Sequence, residues 1–260
     1  MITMTDEATG QARAMGSGGL VWRSEHVAEG SGLTFYFDAE AGQSPSRDHI
    51  YVFKSRAMFE LLDRVIGDPR PRRIIDLGIW QGGSAFALAA LFDVERLVTL
   101  DICAPIASFD ALRRSHPLGR RIAVYYETAQ EDAARLGAMV DREFSAPPDL
   151  VIDDASHFYR ESRASFEILF PRLQGGGWYV IEDWGWAHAP AVRWADQPSL
   201  AGLVFELQLA WLCHPELIGQ VVVRREMVFI QKAPQAPVQR ARLSLDALYE
   251  RHHRSAPLVA

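Results

Sequence analysis

Short apolar runs alternate regularly with helix-like segments through the middle of the chain. The apolar runs predict strands at 73–77, 97–100, 122–126, 149–152 and 178–181. The segments between them carry apolar residues at helical spacing and predict helices at 84–92, 109–114, 131–140 and 160–170. Because these strands are nearly continuous apolar runs without an alternating polar face, they must be covered on both sides. The pattern therefore predicts an α/β fold with a mostly parallel sheet.

The segments flanking this alternation predict one large domain at 48–232. Apolar residues recur at helical spacing from 48 to 66, and again in a long segment from 200 to 217, so a helix is predicted at each place. Two apolar runs, 221–223 and 227–230, lie on either side of a charged turn. They predict an antiparallel hairpin at the end of the sheet.

The two ends of the chain predict less structure. Residues 1–47 are small, polar and glycine-rich at their start and predict an N-terminal arm that is partly flexible. Leu33, Phe35 and Phe37 are nevertheless apolar enough for part of this arm to dock on the domain. Residues 233–260 predict a C-terminal tail, to which the sequence assigns no role.

The composition excludes several classes of partner. The 260 residues carry a net charge of −6, and no basic run is interleaved with aromatic residues, so nucleic acid is not an expected partner. No stretch approaches the roughly 18 apolar residues of a membrane helix. The two cysteines, Cys103 and Cys213, lack metal-site spacing and predict reduced thiols. A cytoplasmic protein is expected, and homo-oligomer formation stays open.

Carboxylates and one histidine follow two of the predicted strands directly. Asp153, Asp154 and His157 follow the fourth strand, and Glu182 and Asp183 follow the fifth. The carboxyl ends of parallel strands meet at one edge of a sheet, which is where such sheets bind ligands. Acids gathered there require a cation or a proton-transfer task. Oxygen donors without cysteine favour Mg²⁺ or another hard divalent ion, and an imidazole suits proton transfer near neutral pH.

The loop after the first predicted strand has the composition of a nucleotide-binding loop. Glycines let the backbone pass close to a ligand, and the start of the next helix offers N–H groups to an anion. Asp101 lies 25 positions after Asp76, near the roughly 20-residue offset at which an acid accepts from ribose hydroxyls. A dinucleotide enzyme would have the same acid, and a tight strand-to-helix turn would also use glycines. The predicted loop residues are Asp76, Gly78, Gly82, Gly83 and Ser84.

A parallel α/β sheet that ends in a helix and a hairpin resembles the Rossmann-like, doubly wound fold of the class I S-adenosylmethionine-dependent methyltransferases. The motifs DDASH and IEDW, in which Glu182 lies 28 positions after Asp154, narrow the resemblance. They look like the metal-dependent sugar O-methyltransferases of macrolide and related antibiotic pathways. The resemblance implies that Asp154, Glu182 and Asp183 bind Mg²⁺ or Mn²⁺ and that His157 is the base.

The same resemblance implies where S-adenosylmethionine lies. Its methionine carboxylate would meet the glycine loop, Asp153 would face its methionine end, and Gln130 would contact its adenine edge. Helix capping by Thr128 with Glu131 explains the sequence around Gln130 equally well. The expected acceptor is a small hydroxylated natural product such as a sugar or glycoside. Its predicted aromatic wall is formed by Trp184, Trp186, His188 and Trp194.

Two other functions remain open from the sequence. The glycine loop and DDASH also resemble cephalosporin hydroxylase, which implies an iron-dependent hydroxylase with His157 as a ligand. A non-catalytic nucleoside-binding protein would keep the loop and Asp101 alone. The identity of the metal separates the two enzymes, and the retained acids and histidine favour an enzyme.

Overall fold

The computed structural model describes residues 19–40, 46, 49–188 and 198–248. A small four-stranded sheet stands at the N-terminal side of the described chain. Its strands are β1 Val21–Trp22, β2 Val27–Gly30, β3 Leu33–Tyr36 and β4 Ile50–Tyr51, with β4 parallel to β3. The alternation of Leu33, Phe35 and Phe37 gives this sheet a buried apolar face, and Phe37 packs edge-on against Phe59. The sequence predicts these residues as part of an N-terminal arm that is partly flexible. In the structure, residues 19–40 pack on the domain.

A seven-stranded sheet forms the centre of the domain. Its strands are β5 Arg73–Leu77, β6 Arg96–Leu100, β7 Ile122–Tyr125, β8 Leu150–Asp153, β9 Trp178–Glu182, β10 Ile218–Val223 and β11 Met227–Lys232. The order is β10-β11-β9-β8-β5-β6-β7, and β5 to β9 are all parallel. Only β11 runs antiparallel to its neighbours in this sheet. The predicted mixed sheet with a C-terminal hairpin is confirmed, and its strand order reverses beside β5, where ligands bind in such folds.

Helices cover both faces of the large sheet. They are α1 Arg56–Ile66, α2 Gly83–Phe92, α3 Ala107–Ser115, α4 Ala133–Glu143, α5 Tyr159–Leu169 and α6 Leu200–Cys213. Helix α2 is buried along nearly its whole length, between the two sheets. Among the described residues, no helix combines the length and apolar character needed to cross a bilayer.

Most helix boundaries lie within three residues of the prediction, and two differ by more. The helix predicted from residue 48 begins at Arg56, because Ile50 and Tyr51 pair with β3 and Ser55 caps the helix by accepting from the Met58 amide at 3.3 Å. The helix predicted to reach residue 217 ends at Cys213, since the chain turns there to enter β10. Apolar spacing alone does not distinguish these segments from helix.

The first part of the predicted tail packs on the domain. Leu245 and Leu248 are buried against the core beneath α5 and α6. Buried Glu167 in α5 accepts from the Arg242 guanidinium at 2.6 Å and from the Leu245 amide at 3.0 Å. The segment up to residue 248 is thus held by apolar burial and by one carboxylate.

Candidate active site

A cavity of about 660 Å³ opens at the carboxyl ends of the central parallel strands. The structure brings nine of the twelve predicted site residues to its wall, as the order reversal beside β5 predicts. They are Gly78, Gly83, Ser84, Asp101, Gln130, Asp154, His157, Glu182 and Asp183. The other three do not line it and lie behind the wall: Asp76, Gly82 and Asp153.

The glycine loop joins β5 to α2 and lies against the loop that carries the acids. The Gly78 amide donates to the Leu100 carbonyl at 2.9 Å, and its φ of 103° is one that other residues rarely adopt. Helix α2 starts at Gly83, and within the described chain no side chain caps it. Its first amides therefore stay available to an anion at the cavity wall.

Asp101 orders the glycine loop by accepting hydrogen bonds from its backbone amides. One carboxylate oxygen accepts from the Ile79 amide at 2.8 Å and from the Trp80 amide at 3.4 Å, and the other accepts from the Cys103 amide at 3.0 Å. A carboxylate has about four acceptor positions. Asp101 therefore keeps acceptor capacity for a ribose hydroxyl while it orders the loop.

Gln130 and Asp153 belong to one buried hydrogen-bond network. The Gln130 amide donates to Asp153 at 3.1 Å and to Ser165 at 3.2 Å, and its oxygen accepts from the Ser156 amide at 2.9 Å. Asp153 also accepts from the Tyr179 hydroxyl at 2.9 Å. Burial raises the pKa of Asp153, and the hydrogen bond from Tyr179 opposes that rise. The network holds the DDASH loop in place, and the predicted contacts of Gln130 and Asp153 with the cofactor stay predictions.

The sequence did not predict the cation at the centre of the acids. Lys54, just before α1, is 5% exposed and forms ion pairs with Asp154 and Glu182. Burial by itself lowers the pKa of this lysine, but the charges of Asp154 and Glu182 more than offset that effect and raise it. The sequence contained one signal for an unusual role of lysine. Only two of the 27 lysines and arginines in the chain are lysines. Its surface cations are arginines, and both lysines are buried.

His157 and Asp183 face Asp154 from the open side of the cavity. The His157 Nε2 atom lies 3.8 Å from Asp154 Oδ1. One donor atom from each of the three side chains lies within 4.8 Å of the other two, whereas Glu182, the third predicted metal ligand, is not part of this group. His157 and Asp183 also have positive φ angles, 56° and 50°, which for residues other than glycine store strain. Such strain is typical of functional sites.

Burial and mutual repulsion disfavour the charged forms of two acids of the site. Burial raises the pKa of Asp76 to about 7, against the lowering effect of Lys54. Burial also raises the pKa of Glu182, where Lys54 again opposes the rise and Asp154 adds to it. One oxygen of Asp76 and the Oε1 atom of Glu182 are buried without a hydrogen-bond partner in the described chain. The unpartnered oxygen of Glu182, which lines the cavity, and the converging donors of Asp154, His157 and Asp183 fit a hard divalent cation.

The predicted aromatic wall is only partly beside the acids. The Trp186 ring lies 5.9 Å from the His157 ring, whereas Trp184 donates to the Arg224 carbonyl at 2.8 Å and so anchors the terminal hairpin. His188 lies 3.1 Å from the Ser199 hydroxyl, and Trp194 is outside the described residues. A second aromatic pair, Phe53 and Trp80, lines the cavity with ring centroids 5.5 Å apart and more than half of each residue exposed.

Comparison with known families and proteins agrees with this geometry. Residues 75–184 match a family model described as a methyltransferase domain. The L-olivosyl-oleandolide 3-O-methyltransferase of Streptomyces antibioticus is 35% identical over 114 residues, which are 43% of this chain and 28% of that protein. The mycinamicin VI 2''-O-methyltransferase of Micromonospora griseorubida is 34% identical over 134 residues, 49% of this chain and 31% of that protein. The chain thus matches about a third of the length of these relatives.

Solved structures give the same fold. The MycE methyltransferase of the mycinamycin pathway, in complex with Mg, SAH and mycinamycin VI, is 29% identical with a TM-score of 0.55. The match covers 67% of this chain and 49% of that one. A structure from Staphylococcus aureus with the provisional name caffeoyl-CoA O-methyltransferase is 15% identical with a TM-score of 0.52, and the match covers 68% of this chain and 84% of that one. At that identity the similarity concerns the fold alone.

Proposed function

We propose that this chain transfers the methyl group of S-adenosylmethionine to a hydroxyl of a small glycoside, assisted by a divalent cation. Two similarities support this proposal: residues 75–184 match a methyltransferase-domain family model, and the fold is similar to that of MycE. The main support for this proposal is that one cavity is lined both by the glycine loop and by the converging side chains of Asp154, His157 and Asp183. Proximity of this kind turns a bimolecular reaction into an effectively unimolecular one. The complex of MycE with Mg and SAH supports the same pair of ligands.

The cofactor would lie at the carboxyl ends of the strands, across the point beside β5 where the strand order reverses. The uncapped start of α2 offers amides to its carboxylate, and Asp101 offers its remaining acceptor capacity to a ribose hydroxyl. The hydrogen-bond network of Gln130 and Asp153 would in addition fix the loop that carries Asp154.

The proton of the acceptor hydroxyl would go to His157. The imidazole lines the cavity beside Asp154, on the open side of the acids. A divalent cation held by Asp154, Asp183 and Glu182 would stabilise the developing alkoxide and orient it. The acceptor oxygen then forms a bond to the methyl carbon while the carbon–sulfur bond breaks, which yields a methyl ether and the neutral thioether S-adenosylhomocysteine.

A glycoside is the acceptor class that the relatives support. Their names specify methyl transfer to olivosyl and rhamnosyl sugars. The exposed rings of Phe53 and Trp80 provide apolar faces at the cavity, and aromatic faces pack well against sugar rings.

Methyl transfer can be tested with isotopically labelled S-adenosylmethionine and a panel of olivosyl and rhamnosyl glycosides. We expect labelled product that disappears with a chelator and returns with Mg²⁺ or Mn²⁺. Asp154→Asn, which keeps the size of the side chain, should lose this dependence together with activity. Full methyl transfer in excess chelator would contradict the role of the cation.

The hydroxylase alternative predicts a different metal. The convergence of His157 with two carboxylates is compatible with a ligand role for this histidine. In that case activity would return only with Fe²⁺ and would consume oxygen. The reported relatives are named as O-methyltransferases, which favours methyl transfer.

A further inference from the structure

Lys54 enters the acidic site from the N-terminal side of the domain. It lies between β4 and the Ser55 cap of α1, and its side chain is 6% exposed. Lysine is among the residues least often buried, and burial normally removes its charge. Here Asp154 and Glu182 both form ion pairs with the buried ammonium and compensate its charge.

Each of the two carboxylates gives only one oxygen to Lys54. The ammonium contacts Oδ2 of Asp154 and Oε2 of Glu182. The Oδ1 atom of Asp154 faces His157 at 3.8 Å instead. The Oε1 atom of Glu182 is buried and has no hydrogen-bond partner in the described part of the chain. One oxygen of each acid is thus held, and the other is left uncommitted.

We propose that Lys54 is a positioning residue that withholds one oxygen of Asp154 and one of Glu182, so that each acid can offer a divalent cation a single oxygen. This inference rests on the cation site of the proposed function. It has a consequence for ion selectivity. Mg²⁺ demands near-ideal octahedral geometry, whereas Ca²⁺ accepts more oxygens and takes carboxylates with both oxygens at once. A lysine that blocks bidentate ligation therefore favours the smaller ion.

The selectivity ratio separates positioning from simple charge compensation. Removing the ammonium makes the site more negative, which strengthens the binding of any divalent ion by a similar factor. That effect cancels when two ions of the same charge are compared. Only a change in how many carboxylate oxygens are available alters the preference between Mg²⁺ and Ca²⁺.

The experiment is a competition in the full chain. Free Mn²⁺ is followed by electron paramagnetic resonance while Mg²⁺ or Ca²⁺ displaces it from the wild type and from Lys54→Met. We expect the preference for Mg²⁺ over Ca²⁺ to fall at least 10-fold in Lys54→Met. Lys54→Arg, which keeps a cation with several donors, should recover part of the preference. Lys54→Gln, neutral but polar, provides the same comparison if the methionine variant does not fold.

Lys232 supplies the matched control. It is the other buried lysine, and it donates to the Pro171 and Leu173 carbonyls at 2.7 Å each, at the amino end of β9, away from Glu182. Lys232→Met should lower stability without altering the ratio. An unchanged ratio in the Lys54 variants, with Mn²⁺ still bound by the wild type, would overturn this inference alone. A wild type that takes up no divalent ion would overturn the cation part of the proposed function as well.

Discussion

The backbones of Gly78 and Asp154 are in contact, and this contact joins the glycine loop after β5 to the DDASH loop after β8. A β-carbon at position 78 would lie 2.1 Å from the Asp154 carbonyl oxygen. The Asp154 amide in turn donates to the Leu77 carbonyl at 3.0 Å. Position 78 therefore requires glycine for two reasons. The two loops lie too close together for a side chain, and the φ angle is positive.

Gly78→Ala should damage both loops. We expect a loss of roughly 1–3 kcal/mol in the free energy of unfolding, from strain and displacement, and at least 10-fold weaker Mn²⁺ binding because Asp154 moves. Gly176→Ala is the control, since Gly176 also has a positive φ of 82° but open space around it. That variant should lose stability alone. Equal Mn²⁺ affinity in the two variants would mean that the contact does not position Asp154.

Asp101 should affect both the loop and the cofactor. S-adenosylhomocysteine should raise the melting temperature of the wild type, and NAD should not. Asp101→Ala should lower the melting temperature of the free protein, because the Ile79 and Cys103 amides lose their acceptor. It should also weaken S-adenosylhomocysteine binding by about 1–3 kcal/mol. Calorimetry that ranks NAD above S-adenosylhomocysteine would contradict the choice of cofactor.

The parallel strands and the acids that follow them were predictable from the sequence, whereas the buried lysine between those acids was not. A strand such as β9 is apolar on both faces up to its last residue, so its burial is visible in its own few residues. Lys54 meets partners 100 and 128 residues away, and no local pattern specifies such a contact. The network of Gln130 and Asp153 also spans distant segments, which is why a capping pattern and a cofactor contact could not be separated in the sequence.

His157 should matter for turnover and little for binding. We expect His157→Ala to lower methyl transfer about 10²–10⁴-fold while S-adenosylhomocysteine affinity stays near wild type, because the lost interaction is made during proton transfer. His188→Ala is the control, since His188 does not line the cavity. Turnover and calorimetric titration measure the two effects. Wild-type turnover in His157→Ala would leave this histidine without a catalytic role.

Lys232 should make stability depend on pH in the alkaline range. Burial lowers its pKa from the ordinary value of 10.5 to about 8. Between these values the unfolded chain binds more protons than the folded one, so the free energy of unfolding rises with pH. Relative to Lys232→Met, the wild type should gain about 2–3 kcal/mol between pH 7.5 and 10 in urea unfolding. A constant difference between the two proteins would show that the lysine keeps its proton throughout.

The proposed function requires an adenosyl group and a divalent cation in one cavity, and anomalous diffraction at the manganese edge tests this directly. The crystal is grown from the full chain with S-adenosylhomocysteine and Mn²⁺. We predict an anomalous peak bonded to Asp154 and Asp183, with the ribose beside Asp101. A peak away from these acids, or a ribose bound away from Asp101, would contradict the account.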